Sequence, residues 1–276
     1  MILDGKKVKN ELLECYKEKI TKEKIKAKLA VIQVGNNEAS NIYIRNKEKA
    51  CKYVGIDFEL FKLESDVKEE KIIKLIDDLN NDKNVTGIIL QSPISKKLDY
   101  SYLSNLIKCE KDVDGFTKNN IYNLYLGKDC LIPCTVRGII KLLSYYNIDL
   151  TGKDVLVIGR GPIVGRPLLL ALLNKNASVS ICHSKSRNLK QKCLNSDIII
   201  SAVGVPHLIS KDMVNKDSIV IDVGISYKDG KIVGDVDYIN IKDNCKAITP
   251  NPGGVGPMTV AMIIDNILLA YERGIK

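Results

Sequence analysis

Residues Val155–Pro167 read V-L-V-I-G-R-G-P-I-V-G-R-P, a short apolar run followed by three closely spaced glycines. The run is rich in β-branched residues and a helical pattern follows the glycines, so the stretch predicts a strand, a tight turn and a helix. Gly159 can take a positive φ, Gly161 lets the backbone approach a pyrophosphate, and a helix beginning near Val164 points unpaired N–H groups at the anion. The spacing that ends at Gly165 is one residue longer than the usual dinucleotide fingerprint, and the same glycines also suit a plain strand-to-helix turn.

The chain on either side of this stretch alternates between strand patterns and helix patterns. The second half predicts four strands, at Val155–Ile158, Ser178–Cys182, Ile198–Ala202 and Ile219–Val223. The first half predicts three strands, at 29–34, 58–63 and 85–90, and two helices, at 38–54 and 69–79. Such alternation forms βαβ units around parallel sheets.

We therefore predict an α/β protein with two lobes, an N-terminal α/β catalytic domain and a Rossmann-like dinucleotide-binding domain, with an active-site cleft between them. The N-terminal lobe is placed at residues 1–138 and is joined by the C-terminal helix at 252–276. The dinucleotide-binding lobe is placed at 139–251.

Composition and charge narrow the function classes. The 276 residues carry a formal net charge of +9, but the lysines of 17–26 alternate with acids in a helical pattern, which is typical of a solvated helix face. Tryptophan is absent and phenylalanine occurs three times, which leaves little for base stacking, so a nucleic-acid binder is disfavoured. There is neither an 18-residue apolar run nor a secretory signal pattern, so the expectation is a soluble cytoplasmic protein.

The eight cysteines and two histidines argue against a metal site. No two cysteines form a C-x-x-C pair, so a Cys/His zinc site is not expected and reduced thiols are the default.

Three side chains of the first half are candidates for chemistry. Tyr43 and Lys47 are four residues apart, so on a helix they share a face. A lysine can act as acid or base where burial or a nearby cation lowers its pKa from about 10.4. Gln91 follows a buried strand, where the carboxyl end of a parallel sheet opens to ligand. Alternatively, Tyr43 and Lys47 are ordinary solvent-exposed side chains of a helix, and the Gln91 amide only caps or stabilises a turn.

Two loops are candidates for ligand binding. In Lys111–Phe116 (K-D-V-D-G-F), a carboxylate of Asp112 or Asp114 could accept two parallel hydrogen bonds from an amidine-like ring edge such as that of a pterin, although the same letters suit a turn with a solvated acid. The loop Thr249–Pro257 is either a stiff turn or a segment whose glycine amides lie against a ligand.

The charged residues near the glycine loop predict which dinucleotide binds. An NAD-binding unit usually has an acidic residue about 20 residues beyond its glycine loop, where it binds the ribose 2′-hydroxyl. Here the second strand runs into C-H-S-K-S-R at 182–187, which has two cations and no acid, and Arg160 follows the first glycine. This arrangement favours a 2′-phosphate, so NADP is predicted over NAD.

Together these stretches resemble the bifunctional methylenetetrahydrofolate dehydrogenase/methenyltetrahydrofolate cyclohydrolase family. The matching segments run in family order across nearly the whole chain: V-G-N-N-E-A-S-N-I-Y-I-R-N-K from Val34, K-D-V-D-G-F from Lys111, P-C-T from Pro133, the 159–167 loop, I-S-A-V-G-V-P from Ile200, V-I-D-V-G-I from Val220, G-D-V-D-Y from Gly234 and I-T-P-N-P-G-G-V-G-P-M-T from Ile248.

The resemblance implies an enzyme of one-carbon metabolism and purine biosynthesis that oxidises 5,10-methylenetetrahydrofolate with NADP and hydrolyses the methenyl product to 10-formyltetrahydrofolate. It implies catalytic roles for Tyr43, Lys47 and Gln91, with Tyr43 also binding the folate. Further folate contacts fall on Asp114, Pro252, Gly253 and Gly254, and cofactor contacts on Gly159, Arg160, Gly161, Gly165, Ser184 and Ile225. A homodimer is also implied, and neither a membrane nor a nucleic acid is expected as a partner.

Several positions depart from the family pattern. The family's Q-L-P-L-P is Q-S-P-I-S at 91–95, and P-C-T-P has Val136 as its last residue. Gly161 stands where serine is usual, and Asn251 where valine is common. The open alternatives are a dehydrogenase with little cyclohydrolase activity, an enzyme that uses NAD, and a non-catalytic nucleotide-binding protein.

Overall fold

The computed structural model describes residues 1–228 and 231–275. The chain folds into two compact units. The five-stranded unit comprises Met1–Lys9 and Thr135–Thr259, and the three-stranded unit comprises Asn10–Cys134 and Val260–Lys276. The boundaries predicted from the sequence lie at 138/139 and 251/252, and that prediction does not separate Met1–Lys9 from the residues that follow.

Helices and strands alternate along most of the chain. In chain order the elements are α1 (Gly5–Glu23), β1 (Lys28–Val34), α2 (Glu38–Val54), β2 (Asp57–Leu63), α3 (Glu69–Asn81), β3 (Gly87–Gln91), α4 (Tyr100–Ser104), α5 (Lys118–Tyr125), α6 (Cys134–Tyr145), β4 (Asp154–Ile158), α7 (Gly165–Leu173), β5 (Ser178–Cys182), α8 (Leu189–Leu194), β6 (Ile198–Ser201), β7 (Ile219–Asp222), β8 (Ser226–Lys228), β9 (Lys231–Val233), α9 (Tyr238–Ile241), β10 (Ala247–Ile248) and α10 (Val255–Ile275).

The sheet of the three-stranded unit is parallel, in the order β2-β1-β3. The central strand β1 is buried at every position after its first, as expected for a parallel strand covered on both faces. Helix α3 buries Ile72, Ile76 and Leu79, which recur at helical spacing and pack in one apolar cluster with residues of β1 and β3. The carboxyl end of β3 is therefore held in place by a well-packed apolar core.

Helix α2 has the predicted bounds, which its two caps explain. The Asn37 side chain accepts a 3.0 Å hydrogen bond from the Ser40 N–H and so satisfies one free donor of the first turn. Gly55 ends the helix in the left-handed conformation, with φ 89°, and its N–H donates to the Cys51 carbonyl.

The sheet of the five-stranded unit is also parallel, in the order β10-β7-β6-β4-β5. The register pairs Ile158 of β4 with Cys182 of β5 and with Ser201 of β6, so the carboxyl ends of these strands lie level. The chain passes from β4 to β5 on one side and then to β6 on the other, which makes β4 the switch point where open α/β sheets bind ligands. The predicted two-domain α/β fold with parallel sheets is thereby confirmed.

The amino terminus extends this sheet beyond β10, a feature that the sequence did not predict. The Leu3 N–H donates to the Ile248 carbonyl at 2.8 Å, and the Ile248 N–H donates to the Met1 carbonyl at 3.0 Å. The two residues of β10 are thus hydrogen-bonded on both sides.

Helix α10 is the one helix of the described residues that is long and apolar enough to span a membrane. Over half of its apolar window, 56%, is buried inside the protein, as in the core helix of a water-soluble domain. Its burial accounts for its composition without a bilayer.

Candidate active site

Lys47 and Gln91 form a buried pair in the three-stranded unit. Helix α2 buries Lys47 to 7% exposure, whereas Tyr43, one turn earlier, keeps 46% of its surface exposed. The Lys47 ammonium donates to Gln91 Oε1 at 2.8 Å, at the last position of β3. Gln91 Nε2 donates to the Ser92 carbonyl at 2.8 Å, and this contact turns the amide oxygen towards the lysine.

No described carboxylate lies within salt-bridge distance of Lys47. The lysine is therefore held by a neutral acceptor in a buried position. Such a lysine can act on a bound ligand without first breaking an ion pair.

Polar residues in the first turn of α2 tie it to the segments around it. Ser40 Oγ donates to the Ser92 carbonyl at 3.2 Å, which links the helix to the loop after β3. Asn41 Oδ1 accepts a 2.7 Å hydrogen bond from the Gln33 side chain. These roles were not predicted from the sequence, although Ser40 and Asn41 both lie in the segment V-G-N-N-E-A-S-N-I-Y.

The two carboxylates of the K-D-V-D-G-F segment have different surroundings. Asp112 is 3% exposed and accepts hydrogen bonds from the Gly115 N–H at 2.9 Å, the Thr117 N–H at 2.7 Å and Asn120 Nδ2 at 3.0 Å. In the described structure, no hydrogen bond to the Asp114 carboxylate accompanies them. Burial raises the pKa of Asp114, while the nearby Lys47 ammonium lowers it. Asp112 therefore builds the loop, and Asp114 is the carboxylate available to a ligand.

Asn266, near the middle of α10, holds the backbone on which Asp114 sits. Its Nδ2 group donates to the Val113 carbonyl at 2.9 Å and to the Ile132 carbonyl at 3.0 Å. Asn266 is fully buried, and the other buried side chains of this helix are apolar, so an amide among them was the sequence signal for this role.

Tyr100, at the start of α4, is a further residue near the site that the sequence did not predict. Its hydroxyl lies 3.3 Å from the Leu90 carbonyl, one residue before Gln91. Burial raises the pKa of Tyr100, and the charge of Asp114 raises it further, so the phenol stays protonated near that carboxylate.

The glycine loop of the five-stranded unit is shaped by close backbone approaches. Gly159 has φ 119°, and a Cβ there would lie 2.6 Å from the Ala202 carbonyl oxygen, so no other residue fits. At Gly165, the first residue of α7, a Cβ would collide with the Gly159 carbonyl. A Cβ at Gly161 would have open space around it. The loop thus packs tightly at both ends and leaves room over Gly161.

The loop after β5 brings exposed cations to the same end of the sheet. Ser184, Lys185 and Arg187 are exposed, as is Arg160 on the glycine loop. His183 orders the turn, because its N–H donates to Ser186 Oγ at 3.0 Å and its Nδ1 accepts from the Lys185 N–H at 3.2 Å. Since β4 and β5 end level, these groups surround the space beside the glycine loop.

These features fit a dinucleotide with a phosphorylated ribose. The tight turn, with its space over Gly161, and the amino end of the nine-residue helix α7 suit the pyrophosphate, and the exposed cations suit the ribose phosphate. Ile225 is 49% exposed after β7, also at the carboxyl end of the sheet. Among the described residues no cluster of His, Cys, Asp and Glu could hold a metal ion.

The loop after β10 carries the remaining predicted site residues. Pro252 is exposed, Gly253 is partly exposed and Gly254 is buried. The Gly253 carbonyl accepts a 2.9 Å hydrogen bond from the Lys6 N–H, and Gly5 packs against the Gly254 carbonyl. Each unit thus gathers its own share of the predicted residues: Tyr43, Lys47, Gln91 and Asp114 in the three-stranded unit, and the glycine loop, Ser184, Ile225 and 252–254 in the five-stranded unit.

Family models match both halves of the chain. The tetrahydrofolate dehydrogenase/cyclohydrolase catalytic domain matches residues 3–114, and the NAD(P)-binding domain of the same family matches residues 133–275. A relative from Aquifex aeolicus (strain VF5), the bifunctional protein FolD, is 48% identical over 278 residues, which cover 99% of this chain and 96% of the relative.

Solved structures that resemble this chain belong to the same family. The bifunctional FolD methylenetetrahydrofolate dehydrogenase/cyclohydrolase of Campylobacter jejuni superposes with a TM-score of 0.96 at 41% identity over 99% of both chains. The Trypanosoma brucei enzyme, solved with NADP cofactor and inhibitor, gives 0.93 at 29% identity over 100% of this chain and 98% of its own. The chain therefore belongs to the tetrahydrofolate dehydrogenase/cyclohydrolase family, with the catalytic and NAD(P)-binding domains of that family in order.

Proposed function

We propose that this enzyme oxidises 5,10-methylenetetrahydrofolate to the methenyl form with NADP and hydrolyses the methenyl product to 10-formyltetrahydrofolate. The observation that carries the proposal is the 2.8 Å contact between the buried Lys47 ammonium and Gln91 Oε1, with Asp114 close enough to feel the lysine charge. A buried lysine near a carboxylate that accepts no hydrogen bond from the described residues is typical of an active site.

Folate binding falls to Asp114 and Tyr43. The Asp114 carboxylate is not engaged by the loop that Asp112 builds, so both of its oxygens can accept hydrogen bonds from the N3–H and 2-amino group of the pterin. The exposed ring of Tyr43 lies one helical turn from Lys47 and offers a flat surface for the folate.

The dehydrogenation requires mainly positioning. The carbon that loses hydride is flanked by two nitrogens, which share the developing positive charge, so no strong acid or base is needed. When bound, NADP supplies the acceptor for that hydride. The chain contributes the glycine loop, the amino end of α7 and Ile225, which fix the cofactor in place.

The hydrolysis requires a base. A water oxygen bonds to the methenyl carbon and gives up one proton to the base. The bond from that carbon to N5 then breaks, N5 takes the remaining hydroxyl proton, and the formyl group stays on N10. The positive charge of the methenyl group disfavours a second cation beside it, so Lys47 can stand as a neutral amine and take the proton. Gln91 keeps the amine in place, and Tyr43 orients the folate.

NADP is favoured over NAD by the cations at the end of β5. Arg160, Lys185 and Arg187 are all exposed, and residues 183–188 contain no carboxylate that would bind a free 2′-hydroxyl. The relative from Trypanosoma brucei was solved with NADP, which supports the same choice. Use of NAD is the second candidate.

The test is a time course with 5,10-methylenetetrahydrofolate and either NADP or NAD. Three amounts are measured. They are the reduced cofactor, the methenyl folate present before acid quench, and the sum of methenyl and formyl folate after the quench. We expect reduction of NADP with little free methenyl product. Methenyl product that accumulates would mean that hydrolysis is weak, and no reduction with either cofactor would refute the proposal.

Three further predictions stay predictions: a homodimer, a cytoplasmic location and an active-site cleft between the lobes. Sedimentation of the purified protein tests the first, and fractionation of the source cells tests the second.

A further inference from the structure

Two fully or nearly fully buried carboxylates lie beneath the loops at the carboxyl ends of β6 and β7. Asp235 has no exposed surface and accepts three hydrogen bonds of 2.8 Å, from Ser201 Oγ and from the N–H groups of Val203 and Val205. One side chain therefore fixes the whole turn that follows β6.

Asp222, the last residue of β7, does the same for the next turn. Its carboxylate accepts hydrogen bonds from the Asp235 N–H at 2.9 Å, the Gly224 N–H at 3.2 Å and the Val236 N–H at 3.3 Å. A side chain at Gly234 would collide with this carboxylate, so the packing is tight. Asp222 thus joins the turn after β7 to the segment that carries Asp235.

Asn251 closes the network from the loop after β10. Its Nδ2 group donates to the Gly224 carbonyl at 2.7 Å, and its side chain also hydrogen-bonds the Asp222 carboxylate. A valine at this position could form neither bond. In this chain, both backbone groups of Gly224 are held by side chains, the N–H by Asp222 and the carbonyl by Asn251.

The turns fixed in this way border the proposed cofactor site. A Cβ at Gly159 would lie 3.3 Å from Val203 Cγ1, so the turn after β6 touches the glycine loop. Val203 and Ile225 keep 36% and 49% of their surfaces exposed at this edge. On the far side of Ile225, Ser226 Oγ donates to the Gly204 carbonyl at 2.8 Å and joins the two turns. A rigid apolar edge beside a phosphate loop suits the flat ring of a nicotinamide.

We propose that Asn251 is a positioning residue that holds the 224–226 turn, and with it Ile225, in the conformation that receives the nicotinamide. The inference rests on the proposed function. Hydrolysis of the methenyl folate needs no nicotinamide, so loss of the Asn251 contacts should weaken NADP binding and dehydrogenation and spare hydrolysis.

The test combines two variants with one control. Asn251→Val removes both hydrogen bonds. Ser226→Ala releases the same turn from its exposed side, so it keeps the test usable if Asn251→Val folds poorly. Asn240→Val makes the same exchange at an exposed position of α9, where the one hydrogen bond of the side chain among the described residues is to Asp237.

Three quantities are measured on each preparation: NADP affinity by calorimetry, dehydrogenase kcat/KM, and hydrolysis of supplied methenyltetrahydrofolate. For Asn251→Val and Ser226→Ala we expect NADP affinity and dehydrogenase kcat/KM to fall at least fivefold while hydrolysis stays within twofold. Unchanged NADP affinity in both variants, or a parallel fall of both activities, would overturn the inference. A wild-type protein that binds NADP but turns over no folate would instead refute the proposed function, and the calorimetry would still decide the role of Asn251.

Discussion

At the scale of single residues, the K-D-V-D-G-F segment shows how two like carboxylates come to differ. Asp112 and Asp114 are two positions apart, and the sequence alone leaves open which of them meets a ligand. The fold decides, because Asp112 receives three donors while Asp114 is partly buried near Lys47 without such donors among the described residues.

Exchange of each aspartate for asparagine should separate the two roles. Asp112→Asn replaces a carboxylate that accepts three hydrogen bonds, so we expect the free energy of unfolding to fall by about 2–3 kcal/mol. Asp114→Asn removes a carboxylate whose pKa burial raises, so stability should hold or rise while KM for the folate increases at least tenfold. Urea unfolding and steady-state kinetics measure both effects, and equal losses of stability in the two variants would contradict this assignment.

The glycine loop offers a second matched pair. Gly159→Ala forces a side chain into φ 119° and against the Ala202 carbonyl, so we expect a loss of about 2 kcal/mol or more. Gly161→Ala adds a methyl group to open space and should change stability by less than about 0.5 kcal/mol. Thermal unfolding of the apoprotein compares them, and a large loss at Gly161 would show that the loop is packed differently.

Asp222 should give stability an unusual dependence on pH. Burial, with the charge of Asp235 as a lesser cause, raises the pKa of Asp222 to about 6, whereas an unfolded aspartate has a pKa of about 3.9. Between these values the folded protein holds a proton that the unfolded chain has released, so the contribution of this group to stability is full below pH 4 and lost as pH rises to 6.

Asp222→Asn removes that contribution. From pH 4 to pH 7, the stability of the wild type relative to the variant should decline by roughly 2–3 kcal/mol, measured by urea unfolding at fixed ionic strength. Parallel curves for the two proteins would mean that Asp222 ionises normally in the folded state.

At the scale of elements, helices and strands with strong local sequence patterns could be predicted together with their bounds. Helix α2 and strand β5 have the bounds predicted from the sequence, because the signals that set them are local. For α2 these signals include the flanking caps Asn37 and Gly55. Strand β10 has two residues and exists through its pairing with β7 and with the amino terminus, so local pattern contains no trace of it. The hairpin of β8 and β9 and the short helices α5 and α8 were missed for a related reason, since short segments give weak periodicity.

Helix α10 supports the site through Asn266, and substitutions in this helix test that role. Asn266→Leu removes the amide donor from the Val113 and Ile132 carbonyls, so we expect stability to fall by about 2–3 kcal/mol and the folate KM to rise through the displaced Asp114. Met262→Leu exchanges one buried apolar side chain for another on the same helix and should cost less than about 1.5 kcal/mol. Similar losses in the two variants would contradict an anchoring role for Asn266.

At the scale of the whole molecule, the chain divides its tasks between two units. The buried Lys47–Gln91 pair and Asp114 belong to the three-stranded unit, and the glycine loop and its cations to the five-stranded unit. The order of family motifs along the sequence predicted both groups of residues. It did not predict the supports, Asn266, Tyr100, Asp222 and Asp235, because their partners are distant in sequence and only the folded chain brings them together.

The most direct test of this division is the hydrolysis of supplied methenyltetrahydrofolate by Lys47→Gln, with cofactor reduction followed on the same preparation. Glutamine fills most of the lysine site but cannot take a proton at neutral pH, and Lys49→Gln on the exposed side of α2 is the matched control. We predict that hydrolysis falls at least 100-fold while NADP reduction continues and methenyl product accumulates. Hydrolysis at the wild-type rate in Lys47→Gln would contradict the account.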